Sequence, residues 1–112
     1  MQAGKLRHLV LFERLESSLD SDGALVEEWT PLFGGKRIWC DVDALSGREL
    51  IAADAIQSKV TTRIVTRYRD GFQPLDRAVY QGTRYNIEAV IPDPHSRRQW
   101  LTLQCSDGPA PG

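Results

Sequence analysis

The chain has 112 residues, of which 41% are hydrophobic and 26% charged, and a formal net charge of -1. That is the size and make-up of one ordinary folded domain, and it excludes collagen-like, low-complexity and broadly disordered chains. It also speaks against a dedicated nucleic-acid binder, which draws its affinity from a basic surface.

No apolar run approaches the length of a membrane span, and Met1 to Gly4 lack the basic-then-apolar layout of a secretory leader. A cytoplasmic site of synthesis and no membrane partner are expected. The two cysteines, Cys40 and Cys105, are too few for a disulfide framework and have no Cys-x-x-Cys spacing, so both are expected to pack as small buried hydrophobes.

In chain order, the alternation from His8 to Leu15 predicts a strand, and the polar, Gly-containing run 16–24 predicts a loop. A second short strand is expected over Leu25 to Thr30. Pro31 and the pair Gly34-Gly35 then break the chain. From Lys36 to Ala44 alternation resumes, with Ile38, Cys40 and Val42 on one face and Trp39, Asp41 and Asp43 on the other.

Ser46 and Glu49 have the Ser-x-x-Glu spacing of a capping box, in which each side chain satisfies a backbone N–H at a helix start. One helix is therefore predicted over about residues 47–58, with Ile51, Ala52, Ala55 and Ile56 as its apolar stripe. The β-branched stretch Val60 to Arg69 predicts a strand with Arg63, Val65, Arg67 and Arg69 on one side and Ile64, Thr66 and Tyr68 on the other.

Asp70-Gly71 opens a turn. Arg77 to Tyr80 and Thr83 to Ile91 then flank Gln81-Gly82 as a tight hairpin. Pro92-Asp93-Pro94 marks another loop before a last strand, Arg97 to Cys105. The expected fold is mainly β: a small antiparallel barrel or sandwich with one inserted helix and extended loops. Residues 1–105 form the single domain in this scheme, and 106–112 a flexible tail.

Charge is unevenly placed. Residues 1–59 carry 7 Lys/Arg and 10 Asp/Glu, a net of -3, and residues 60–112 carry 7 and 5, a net of +2. Unlike halves suit head-to-tail contact between copies, in which Arg63, Arg67 and Arg69 would meet Asp22, Glu27 and Glu28 of a neighbour. Trp39, an aromatic on a polar strand face, is a further interface candidate. Arg97 and Arg98 are the positions placed closest to a nucleic-acid contact.

Catalytic and metal chemistry is poorly provided for. His8 and His95 have no spacing that pairs them with each other or with a cysteine, and no HExxH, P-loop or Gly-x-Ser-x-Gly motif is present. Asp41 and Asp43 share a strand face, but they would need a third ligand such as Glu49 or Asp54 to hold an ion. No catalytic residue, metal site or cofactor is expected.

The stretch from Ile38 to Phe72, with its strand, capped helix and Arg-rich strand, resembles the core of the phage head-tail joining family. The opening Ala3-Gly4-Lys5-Leu6-Arg7-His8 resembles that family's first strand, and Tyr80 to Cys105 its closing hairpin and last strand. The resemblance implies a virion protein, not an enzyme: a head-closure or stopper ring of sixfold or twelvefold symmetry in a tailed phage or a gene transfer agent. Its implied partners are a portal-side adaptor, a tail terminator or tail tube, and double-stranded DNA in the channel. Two other readings remain open: another neck ring such as a tail terminator, and a stand-alone small-barrel module for single-stranded nucleic acid or peptide.

Overall fold

The structure is a computed structural model that describes residues 6–45, 60–93 and 99–107. Seven strands make up the described fold: β1 (His8–Leu19), β2 (Leu25–Pro31), β3 (Ile38–Ala44), β4 (Thr62–Arg67), β5 (Arg77–Tyr80), β6 (Thr83–Pro92) and β7 (Trp100–Asp107). All pairings are antiparallel in the order β2-β1-β3-β4-β7-β6-β5, and β5 returns to pair with β1. Six strands thus close into a barrel, which removes the open edges of a flat sheet.

Closure needs bending, and β6 supplies it. Its register against β7 shifts between Ile87 and Ala89, so Glu88 is an extra residue in the ladder. Such a bulge raises local twist and curves the strand. Glu88 is held by a 2.7 Å hydrogen bond donated from Ser106. The expected β5–β6 turn is present at Gln81-Gly82, whose φ values of 49° and 80° are those of a tight two-residue hairpin.

The interior is filled by one side of each strand's alternation: Val10 and Phe12, Ile38 and Cys40, Ile64 and Thr66, Ala78, Ile87, and Leu101, Leu103 and Cys105. Phe72 plugs one end of the barrel edge-on between Phe12 (4.8 Å between ring centroids) and Phe33 (5.1 Å). Gly71 admits that plug, because a Cβ on it would lie 3.1 Å from the Phe33 ring and its φ is +116°. The buried Thr66 hydroxyl donates to the Trp39 carbonyl at 3.2 Å.

The first strand is longer than its alternation suggested. It continues through Leu19, so residues 16–19 of the expected 16–24 loop are instead part of a hairpin with β2, in register from Glu13↔Pro31 to Leu19↔Leu25. Polar residues alternate poorly because neither face of this segment is buried, and the backbone ladder to β2 makes the strand regardless. The true turn is Asp20–Ala24, where the Asp20 carboxylate accepts the N–H groups of Asp22 and Ala24, each at 2.9 Å.

The last strand also runs further than expected: Ser106 and Asp107, assigned to the tail by composition, pair with Asn86 and Tyr85. Thr61 donates to Asp107 at 2.9 Å. The predicted helix over 47–58 and its capping residues Ser46 and Glu49 lie outside the described residues, as do His95, Arg97 and Arg98.

Both cysteines are fully buried and unpaired, with their thiols donating to the carbonyls of Ile38 and Leu103. Burial pushes each pKa up to about 12 from an ordinary 9.0. A folded-state value above the unfolded one means the native state holds the proton more tightly, so this contribution is complete below about pH 9 and is lost as pH rises toward 12. The native protein should therefore resist iodoacetamide at about pH 8 and take two labels on unfolding. Its denaturant midpoint should fall above pH 9, and less steeply in a Cys40→Ala/Cys105→Ala variant.

Candidate functional site

Two surface features stand out, and β1 builds the first. From His8 to Val10 this strand pairs with β3, and from Leu11 to Glu13 with β5. Beyond Glu13 only β2 accompanies it. The six steps from Glu13 to Leu19 carry the β1–β2 hairpin about 20 Å past the barrel wall as an arm.

The root of the arm is clamped on both faces. On the inner face Arg14 donates from Nε to Oδ1 of Asp76 at 2.8 Å and from Nη2 to Oδ2 at 2.9 Å. Asp76 is 2% exposed and also accepts the Gln73 N–H at 2.8 Å, while Arg14 reaches the Gly71 carbonyl. The hydrogen bond to Asp76 raises the Arg14 pKa and keeps its charge fixed. On the outer face Arg77 donates to Glu13 at 2.7 Å and lies 4.0 Å over the Trp29 ring.

Beyond the clamps the arm has two unlike faces. Leu15↔Trp29, Ser17↔Glu27 and Leu19↔Leu25 share one, and Glu16↔Glu28 and Ser18↔Val26 the other. At the tip Leu19 is 71% exposed and Leu25 64%. Residues 13–31 hold six carboxylates, Glu13, Glu16, Asp20, Asp22, Glu27 and Glu28, against the single base Arg14.

The second feature is a cleft of about 450 Å³ on the β3–β4 side of the barrel, lined by Leu6, Lys36, Arg37, Ile38, Trp39, Thr66, Arg67, Tyr68 and Arg69. Trp39 stands 54% exposed across from Leu9. Arg67 lies over Trp100 at 5.1 Å and Arg69 over Phe33 at 4.9 Å, which fixes both guanidinium planes at the rim. Among the described residues no carboxylate closes a salt bridge with Lys36, Arg37, Arg67 or Arg69.

The interface candidates from the sequence therefore divide. Arg67, Arg69 and Trp39 come together in the cleft, and Asp22, Glu27 and Glu28 lie on the arm. Arg63 stands apart, opposite Asp43 in the β3–β4 ladder and 4.0 Å from its carboxylate. Lys36 and Arg37 were missed. They precede β3, and only the neighbouring end of β4 turns this basic dipeptide into part of a site.

Asp41 and Asp43 line a shallow depression with Arg7 and His8. His8 Nδ1 shares a hydrogen bond with the Tyr80 hydroxyl. Among the described residues there is no group of three or more His, Cys, Asp or Glu placed to hold a metal.

The class defined by this fold is a small closed β-barrel that carries an acidic two-stranded arm and a basic cleft. Residues 1–108 match the family model for phage head completion protein. Head completion protein gp7 of Enterobacteria phage HK97 is 30% identical over 92 residues, spanning 78% of this chain and 80% of that protein. A protein of Shigella flexneri 2a, known from a solution structure, superposes with a TM-score of 0.80 at 28% identity, covering 96% of this chain and 97% of that one. A chain in the virion of a native gene transfer agent particle shares the fold, with a TM-score of 0.61 at 19% identity over 93% of this chain and 96% of that one.

The chain belongs to the phage head completion protein family. Its place is accordingly in the virion, with a role at the head–tail neck, in agreement with the resemblance carried by residues 38–72 and their flanks.

The clamp at the arm's root has a measurable consequence. Asp76→Ala strands the Arg14 guanidinium and frees the Gln73 N–H, and should destabilise the protein by about 2–3 kcal/mol, under the roughly 3–5 kcal/mol of a fully buried broken pair because Arg14 is part-exposed. Hydrogen exchange should rise along 14–19 and 25–30 in that variant while the β4–β7 ladder stays protected.

Proposed function

We propose that this chain is a structural neck protein that forms a ring between the portal-side adaptor of a DNA-filled head and the tail terminator or tail tube. In this role it joins head to tail and helps to retain the packaged double-stranded DNA. The observation that carries the proposal is the family match along residues 1–108, which takes in barrel and arm together. The name of the phage HK97 relative, a head completion protein, supports it.

The geometry suits such a part. Closure removes the open edges of the six barrel strands, so free sheet edge is confined to the β1–β2 arm and the contacts offered by the barrel run through side-chain patches. This chain carries two patches of opposite charge. A patch meeting an unlike patch is a heterologous contact, and repeated heterologous contacts close into rings when the rotation allows. Exposed ion pairs contribute only about 0–1 kcal/mol each, but ring symmetry repeats them in every copy.

A non-catalytic role accords with the chemistry present. The thiols are buried and protonated, His8 is engaged by Tyr80, and Asp43 faces Arg63. A second reading, a small-barrel module for single-stranded nucleic acid, draws on one observation: four bases surround the exposed Trp39, a charge-plus-stacking arrangement. The acidic arm beside that cleft weighs against it.

Loss of this chain from a particle-producing system should leave DNA-filled heads and separate tails, seen by electron microscopy, and purified protein added to the extract should restore joining. Normal joining without the chain, or its absence from purified particles, would overturn the proposal. Tight, salt-sensitive binding of single-stranded oligonucleotide by the isolated protein would favour the module instead.

A further inference from the structure

We infer that the arm of one copy seats in the basic cleft of a second copy of this chain, with the Leu19/Leu25 tip against Trp39 and the arm's carboxylates against Lys36, Arg37, Arg67 and Arg69. The inference takes its setting from the neck proposal, but the contact itself stands on the geometry.

Four observations lead to it. First, the tip leucines face each other across the ladder and are among the most exposed apolar side chains of the described fold, although nothing in their own barrel covers them. Second, Glu16 and Glu28 are direct cross-strand partners. Like charges opposite one another weaken a ladder; Glu16 has a hydrogen bond from Thr30 and the nearby charge of Arg14, whereas among the described residues no cation closes a salt bridge with Glu28, which leaves a role for an external one. Third, the cleft is the complement: bases and an exposed tryptophan line it, and no carboxylate is among its lining residues. Fourth, the arm is held at its root by Arg14–Asp76 and Glu13–Arg77 and none of residues 13–31 lines the cleft of its own barrel, which leaves the cleft to another molecule.

Arm into cleft also fixes the order of assembly contacts. Each copy offers one arm and one cleft, so every copy donates in one direction and receives in the other. Charge guides the approach, and the apolar tip excludes water from the contact once it is made.

The test uses the full chain, whose own cysteines are buried. Leu25→Cys places a thiol at the tip and Arg37→Cys places one in the cleft. Mixing the two single variants under mild oxidation should give a disulfide-linked dimer that neither gives alone, and the double variant should give a ladder of multimers in solution and in purified particles. Adding Arg67→Glu and Arg69→Glu to the cleft partner should cut the mixed dimer about tenfold or more, and Glu27→Lys with Glu28→Lys on the arm partner should restore it.

Absence of the mixed product both in solution and in particles that join normally would overturn the inference and leave the neck proposal standing. Arm-to-arm dimers of the Leu25→Cys variant as the main product would also overturn it. A mixed product from a chain that is dispensable for joining would keep the contact and remove the neck proposal.

Discussion

The bidentate Arg14–Asp76 pair is the constraint on which the rest of this molecule turns. It sits at the residue where β1 stops being a barrel stave and becomes half of an arm, one position past the last β1–β5 pair, Glu13↔Arg77. Asp76 is buried and multiply bonded, to Arg14 and to the backbone of Gln73, and its carbonyl accepts from Ile87 in β6. One residue thus ties the arm's root and the β4–β5 loop through its carboxylate and β6 through its carbonyl. A buried charge of this kind adds little net stability, but it permits few alternative arrangements of the groups around it.

The consequence is a division of labour along one strand. The near half of β1 contributes Val10 and Phe12 to the core, and the far half, from Leu15 on, is exposed to solvent. Clamping both faces at residues 13 and 14 lets a two-stranded ribbon, marginal by itself in water, hold its direction. In the ring proposed above, direction would matter more than the strength of any one contact, because symmetry would supply the repetition.

Much of this was legible from residue pattern. The alternations at 8–15, 38–44 and 62–67, the Gln81-Gly82 hairpin and the burial of Cys40 and Cys105 all follow from period-2 patterning and side-chain chemistry, and the exposure of Trp39 was visible from the polar face it shares with Asp41. The ends of β1 and β7 were not, because Glu16 to Leu19 and Ser106-Asp107 owe their strand state to backbone partners in β2 and β6 that local composition does not announce.

Sequence by itself determined that this is one mainly β domain, that it is poor in catalytic and metal-binding groups, and that it carries separated positive and negative charge. Those properties rest on local preference and composition, which need no knowledge of neighbours. Tertiary structure decided what the charge separation means. Split by position along the chain, Lys36 and Arg37 fall in the acidic half and Arg63 in the basic one. In space, β3 and β4 bring Lys36 and Arg37 beside Arg67 and Arg69, while Asp43 takes Arg63 out of the group. The acidic residues of 13–31 separate from all of them on an arm. Strand pairing within the barrel makes these assignments, since it sets which distant residues share a face, and a pairing across 18 to 26 residues of chain, from Ala44↔Thr62 to Cys40↔Thr66, leaves no trace in the periodicity of either segment.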